Sequence, residues 1–170
     1  MKFVLPDGYS NFPIQLKGMF QFARHLSLIG GEGYNTQFEN VWVDRHDYEN
    51  MAFPGVNVWW DSEKTDNAAM NDNTPGVYSV RVPVYLDVLF EDEYPSIKAG
   101  LIKADIEKYF LSKTNKCDCL PEADGAATVQ SMMIAGMNCV TDAQHAHRAR
   151  MQIECRVWYK TKMGDPYTRP

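Results

Sequence analysis

The amino-acid sequence predicts an α+β domain: a largely antiparallel, mixed sheet with two helices packed on one face. Three observations carry that prediction. Val77–Glu91 alternates apolar and polar residues with a period of two, as a strand does with one buried and one wet face. Two segments, near 13–28 and 95–112, repeat their apolar residues at helical spacing. The order is helix, three strands, helix, two strands, and strands that follow one another without intervening helices favour antiparallel pairing over βαβ units.

The first helix is expected over Pro13–Leu28. Asn11 is placed to cap it, and Pro13 suits its first turn. Ile14, Met19, Phe22, Ala23 and Leu26 form its stripe, Leu16 and Phe20 widen that stripe, and Gly30-Gly31 ends the helix. So wide a stripe belongs to a well-buried helix or to an interface. A short strand follows at Phe38–Val43, then a second at Gly55–Asp61, where Val56, Val58 and Trp60 alternate with Asn57, Trp59 and Asp61. In Val77–Glu91 the residues Tyr78, Val80, Val82, Val84, Leu86, Val88 and Phe90 share one face. Pro83 removes a ladder donor and implies an edge or a bulge near the middle of that strand. Between these strands Ser62–Gly76 is polar and too long for a tight hairpin, which marks a contact loop.

The second helix is expected over Pro95–Ser112, with Leu101, Ile102, Ile106, Tyr109 and Phe110 on its apolar side. Lys98, Lys103, Glu107 and Lys113 fall on its wet side, and Ser96 and the acidic run Glu91-Asp92-Glu93 sit at its positive end. Loop signals cover Thr114–Gly125, and two final strands are expected at Thr128–Met137 and Ala146–Lys162. All of this fits one domain spanning residues 1–170, with segments 1–12 and 163–170 as extensions.

A chain of 170 residues can bury roughly 70% of its unfolded surface. No apolar run approaches the ~20 residues of a membrane helix. The N-terminus breaks at Pro6 before a signal-peptide core could form, so synthesis in a cytosol is expected. Net charge is −5, which gives no bulk attraction for nucleic acid. The charge is unevenly spread: residues from His145 onward carry six Lys/Arg against two acids, and the rest of the chain carries 11 against 20. Such a basic end can meet the acidic body of an identical neighbour or can meet DNA, and the first needs no further partner. Four cysteines, Cys117, Cys119, Cys139 and Cys155, are too few and too irregular for a disulfide framework and are expected as thiols.

Catalytic patterns are sparse. There is no Gly-x-Ser-x-Gly elbow, no phosphate-binding Gly-x-x-x-x-Gly-Lys loop and no His-Glu-x-x-His. Gly30-Gly31-Glu32-Gly33 follows a helix, where a phosphate-cradling loop would follow a strand. Cys117-Asp118-Cys119 and His145-Ala146-His147 offer thiol and imidazole ligands, but zinc pairs usually have two to four intervening residues. Glu91, Asp92 and Glu93 point in different directions along a strand end and do not converge on a substrate atom. The expectation is therefore no catalytic residue, no metal and no cofactor, with a small metal-binding enzyme as the alternative of a different class.

Aromatic residues make 12% of the chain. Trp59 and Trp158 fall on the polar faces of their strands, as Trp does at protein contacts, unless a loop of the same chain covers them. The expected subunit-interface residues are Arg148, Arg150 and Arg156 on the last strand, Trp59, Trp158, and Asp66 and Asp72 in the polar loop.

The stretch Pro54-Gly-Val-Asn-Val-Trp-Trp-Asp-Ser-Glu63, the long polar loop, the strand Val77–Phe90 and the helix segment Ala99-Gly-Leu-Ile-Lys-Ala-Asp-Ile-Glu-Lys108 resemble the tail terminator (tail completion) proteins of tailed phages. The likeness runs loosely from Pro13 to Lys162. It implies a virion protein at the tail–neck junction, assembled in the host cytoplasm. Such a protein forms a homohexameric ring that caps the tail tube, ends its polymerisation and joins it to the neck. Its partners would be copies of itself, the tail tube protein and a neck or head-completion protein, with DNA passing through the pore without specific binding and with no membrane. A head–tail connector or neck subunit is the nearest alternative.

Overall fold

The computed structural model describes residues 3–45, 48–60, 77–114, 129–142, 145, 147–162, 164–165 and 167. A 3-10 turn at Tyr9–Asn11 leads into α1 (Ile14–Leu26); β1 (Asn40–Val43), β2 (Gly55–Trp60) and β3 (Val77–Glu91) follow, then α2 (Pro95–Thr114), β4 (Val129–Thr141) and β5 (Arg148–Lys162). The five strands form one sheet in the order β1-β2-β3-β5-β4. Only β1 and β2 run parallel; every other neighbouring pair is antiparallel. The chain is thus an α+β fold with a mixed, mostly antiparallel sheet.

Period-two alternation decides which side of the sheet is filled. Val82, Val84, Leu86, Val88 and Phe90 of β3 face the same way as Ala149, Met151, Ile153, Cys155, Val157 and Tyr159 of β5, and all are buried. Val56 and Val58 extend that surface on β2. Both helices lie on it: Phe22 of α1 stacks on Phe110 of α2 with centroids 4.6 Å apart and an interplanar angle of 11°. Removing such an aromatic side chain from water stabilises the fold by about 1.5–3 kcal/mol. Cys155 lies wholly inside, and burial, aided by the Glu154 charge, pushes its thiol up to about 12. A hydrogen bond of 2.9 Å between His25 Nδ1 and the Tyr109 hydroxyl ties the two helices together.

Local details depart from the sequence expectation at several points. Asn11 does not cap α1; it lies in the 3-10 turn, and Pro13 holds the N-cap position without a side-chain bond. The extra width of the α1 stripe is covered from within the chain, because Phe3, Tyr9 and Phe12 bring their rings to 6.1, 6.4 and 5.6 Å from Phe20. The first strand begins at Asn40 instead of Phe38, although Phe38 is still buried. Leu101 is 39% exposed and does not join the buried side of α2 with Ile102 and Ile106. The fourth strand continues to Thr141, four residues beyond the expected end.

Pro83 sits opposite Arg156 in an unshifted register with β5, and the described register with β2 stops at Trp60↔Val84. Pro83 thus lies one residue past the last described β2 pair, and its position opposite β2 falls outside the described residues. The register shifts lie in β4, between Val129 and Ser131 and between Ile134 and Gly136. Ser62–Gly76, with Asp66 and Asp72, falls outside the described residues, as does the pair Cys117 and Cys119.

Candidate assembly surface

The face of the sheet opposite α1 and α2 carries a polar cluster centred on Asp87. This aspartate takes the middle of β3, and its carboxylate is only 1% exposed. Four donors surround it. The Tyr48 hydroxyl donates to Oδ2 at 2.9 Å, Trp59 Nε1 at 2.7 Å and Arg150 Nη2 at 2.8 Å, while Gln152 Nε2 donates to Oδ1 at 3.1 Å. Asn57, one strand over and directly opposite Asp87 in register, is fully buried. Its Nδ2 donates to the Tyr48 hydroxyl oxygen at 3.1 Å, and its Oδ1 accepts from the Arg45 backbone at 3.1 Å. A buried carboxylate is costly unless its oxygens are satisfied, and here the satisfying groups come from β2, β5 and the segment between β1 and β2. The cluster pins that segment over the sheet.

Tyr48 carries the electrostatic mark of the arrangement. Its phenol is raised above the ordinary value, chiefly by burial and further by the Asp87 charge, against a lowering from the Asn57 hydrogen bond. Trp59 does not stand out as a free anchor. Its ring stacks on Tyr85 with centroids 4.6 Å apart, and its N–H is committed to Asp87.

The structure brings five of the seven expected interface residues onto this one face: Trp59 on β2, and Arg148, Arg150, Arg156 and Trp158 on β5. The arginines also have acidic partners inside the chain. Arg148 pairs with Glu91 across the β3–β5 ladder, Arg150 with Asp87, and Arg156 Nε lies 3.6 Å from Glu154 Oε1. Expectation had placed those acids on a neighbour because most carboxylates lie before residue 145, but antiparallel pairing of β3 with β5 folds Asp87 and Glu91 back onto the arginines. About half of each arginine side chain still faces solvent, 46%, 53% and 44% respectively. A guanidinium with five N–H donors can serve a second acceptor.

Beside the cluster a cleft of ≈ 640 Å³ opens between the segment 48–53 and the ends of β3, β4 and β5, with Phe53, Leu89, Val140, Arg148 and Arg150 on its walls. Arg148 lies over the Phe53 ring at 5.4 Å and Arg150 over the Tyr48 ring at 5.5 Å. His145 and His147 are exposed, and His145 Nδ1 lies 3.2 Å from Asp142 Oδ2. Among the described residues no group of three or more His, Cys, Asp or Glu side chains is placed to hold a metal ion.

The sheet's two edges differ. β1 is four residues long, whereas β4 presents 13. Met133, Met137 and Val140 on β4 are 44%, 42% and 59% exposed.

Sequence reasoning missed Asp87, Asn57 and Tyr48 as a unit. A signal for two of them existed, since Asp87 and Asn57 are polar residues in the middle of otherwise apolar strand runs. Nothing local linked Tyr48 to them. Compared with protein-family models and with curated proteins, the sequence finds no match.

Proposed function

We propose that this chain is a structural subunit of a phage tail, of the tail terminator type, that acts by association with copies of itself and with the end of the tail tube. The observation that supports this reading best is the gathering of Arg148, Arg150, Arg156, Trp59 and Trp158 on the sheet face opposite α1 and α2. Arginine and tryptophan are the residue types that concentrate at the centres of protein contacts. A rigid face of this kind suits a ring, in which each copy presents one surface to the next and the rotation closes. The sequence resemblance from Pro54 to Lys108 supplies the tail-capping role. The surplus of negative charge in the body fits a pore through which DNA slides without being held.

Arg156 is the residue to test, because its partner inside the chain is an exposed one and its loss leaves Asp87 satisfied. Arg156→Glu should fold with an unchanged melting temperature while losing the capping of uncapped tails, read as tail length and as joining to heads. A DNA-contact role would instead leave assembly intact and lower only a salt-dependent DNA affinity. Virions whose tube–neck junction lacks this protein would overturn the proposal.

A further inference from the structure

We infer that the outer side of α2 docks a second copy of this chain, the two α2 helices lying antiparallel across a two-fold axis between Gly100 and Leu101. The inner side of α2 is the expected one, with Ala99, Ile102, Ile106, Tyr109 and Phe110 buried in the core. The side turned away from the core is apolar too. Tyr94 at the helix start, Ile97 and Leu101 are 59%, 64% and 39% exposed, and Gly100 and Ala104 lie exposed beside them. Ile97, Leu101, Ala104 and Lys108 follow one another at intervals of four, three and four residues. That spacing makes one narrow seam along a helix, the pattern by which two helices pack side by side at a crossing angle of about 20°. Polar groups rim the seam. On one flank Lys103 pairs with Glu107. On the other, Asp105 accepts from the Asn35 backbone N–H at 2.8 Å, and Lys98 donates to the Asn35 carbonyl at 3.4 Å. An apolar centre inside a polar rim is the anatomy of a protein contact.

The charges select the occupant and its direction. The seam starts beside Glu93 and ends at Lys108, both exposed, and the two stand equally far along the sequence from the midpoint between Gly100 and Leu101. A second copy turned end for end brings Glu93 of each beside Lys108 of the other, and Ile97 of each beside Ala104 of the other. A parallel copy would put like charge against like charge at both ends. A surface whose ends are opposite in sign about its own midpoint is complementary to itself, which is the isologous arrangement that most dimers use. Lys108 already donates to the Gly33 carbonyl and lies 4.8 Å from the centroid of the Tyr34 ring, yet an ammonium has three donors. Gly100 adds no bulk at the axis, so the two backbones can approach closely. From Glu93 to Lys108 the seam is about 22 Å long at ~1.5 Å per residue. That is a small interface, so the pair is expected at high micromolar concentration of the chain.

This inference goes beyond the proposed function. The helices and the arginine face lie on opposite sides of the sheet, so either contact can fail with the other intact.

The test uses the full chain in solution. Wild type should show twice the chain mass at high micromolar concentration, and Ile97→Lys with Leu101→Lys should raise the dissociation constant at least tenfold with an unchanged melting temperature. Lys108→Glu should weaken the pair, and adding Glu93→Lys should restore it. In a Cys117→Ser, Cys119→Ser, Cys139→Ser background, Gly100→Cys should form a disulfide with its own copy under mild oxidation, whereas Ser96→Cys on the flank should not. Position 100 tolerates the change, since a Cβ there would meet nothing within 4 Å. A monomeric wild type overturns the inference and leaves the seam to a different partner. So does an oligomer indifferent to the two lysines, one whose Lys108→Glu loss Glu93→Lys does not repair, or one with no crosslink at position 100. A monomer that still caps tails would leave the proposed function standing, and a lysine-sensitive dimer that never binds tails would leave only this inference.

Discussion

The two faces of the sheet are built from the same strands and are held by different physics. On the helix side the interactions are apolar and collective: Phe22, Phe110, Ile102, Ile106, Met151 and Ile153 are essentially inaccessible, and none depends on a single partner. On the other side one carboxylate, Asp87, organises Tyr48, Trp59, Arg150 and Gln152 through directional bonds. The first kind of surface tolerates rearrangement and exacts a cost proportional to the atoms removed. The second fails abruptly, because deleting one partner strands the rest. The sheet face proposed for contact with other molecules is therefore the one whose geometry is specified residue by residue.

Four substitutions probe that contrast, and the largest effect belongs to the helix side. Phe110→Ala should cost about 3–5 kcal/mol, seen as a large drop in melting temperature. A small drop would mean that α2 does not seal the core as the Phe22–Phe110 stack indicates. Next is Asp87→Ala, expected to cost about 2–3 kcal/mol because its donors lose their acceptor. It should also raise proteolytic cleavage near Tyr48, the segment the carboxylate pins. A cost under about 0.5 kcal/mol would reduce this face to ordinary wet surface.

Tyr48→Phe should cost about 1 kcal/mol and carry a pH signature. The folded chain holds the Tyr48 proton above the ordinary phenol value of 10.0. The unfolded chain thus ionises first as pH rises, and the stability that Tyr48 contributes is present below pH 10 and lost above it. Wild type should lose more stability than the Phe variant between pH 9 and 11, as chemical denaturation would show; parallel curves would remove Tyr48 from the cluster's electrostatics. Smallest is Arg156→Ala, whose exposed partner Glu154 limits the change to within about 0.5 kcal/mol. A larger loss would show that this arginine is structural and not reserved for contact.

Much of the fold was legible because periodicity reports burial directly. Val77–Glu91 reads as a strand with its exact limits, and α2 is placed correctly at its start. Errors gathered at ends and caps. Asn11 has the chemistry of a cap, but the aromatic contacts of Tyr9 and Phe12 with Phe20 hold it in a turn one step too early. Leu101 has the character of a core residue, yet the helix rotates it outward once Ile102 and Ile106 face the sheet.

Residue spacing along the chain is enough to yield the helices and strands and, Leu101 apart, the face each one buries. It also placed Arg148, Arg150, Arg156 and Trp158 on one side of one strand, for the same reason. Only the tertiary structure decided that β5 lies between β3 and β4, and with it the rest. That neighbour relation brings Asp87 and Glu91 beneath arginines more than 50 residues away, and it leaves the uncharged β4 at the rim. Strand order is a competition among long-range pairings whose loop-closure costs differ by only about 0.6 kcal/mol per doubling of loop length, so no local pattern records which pairing wins.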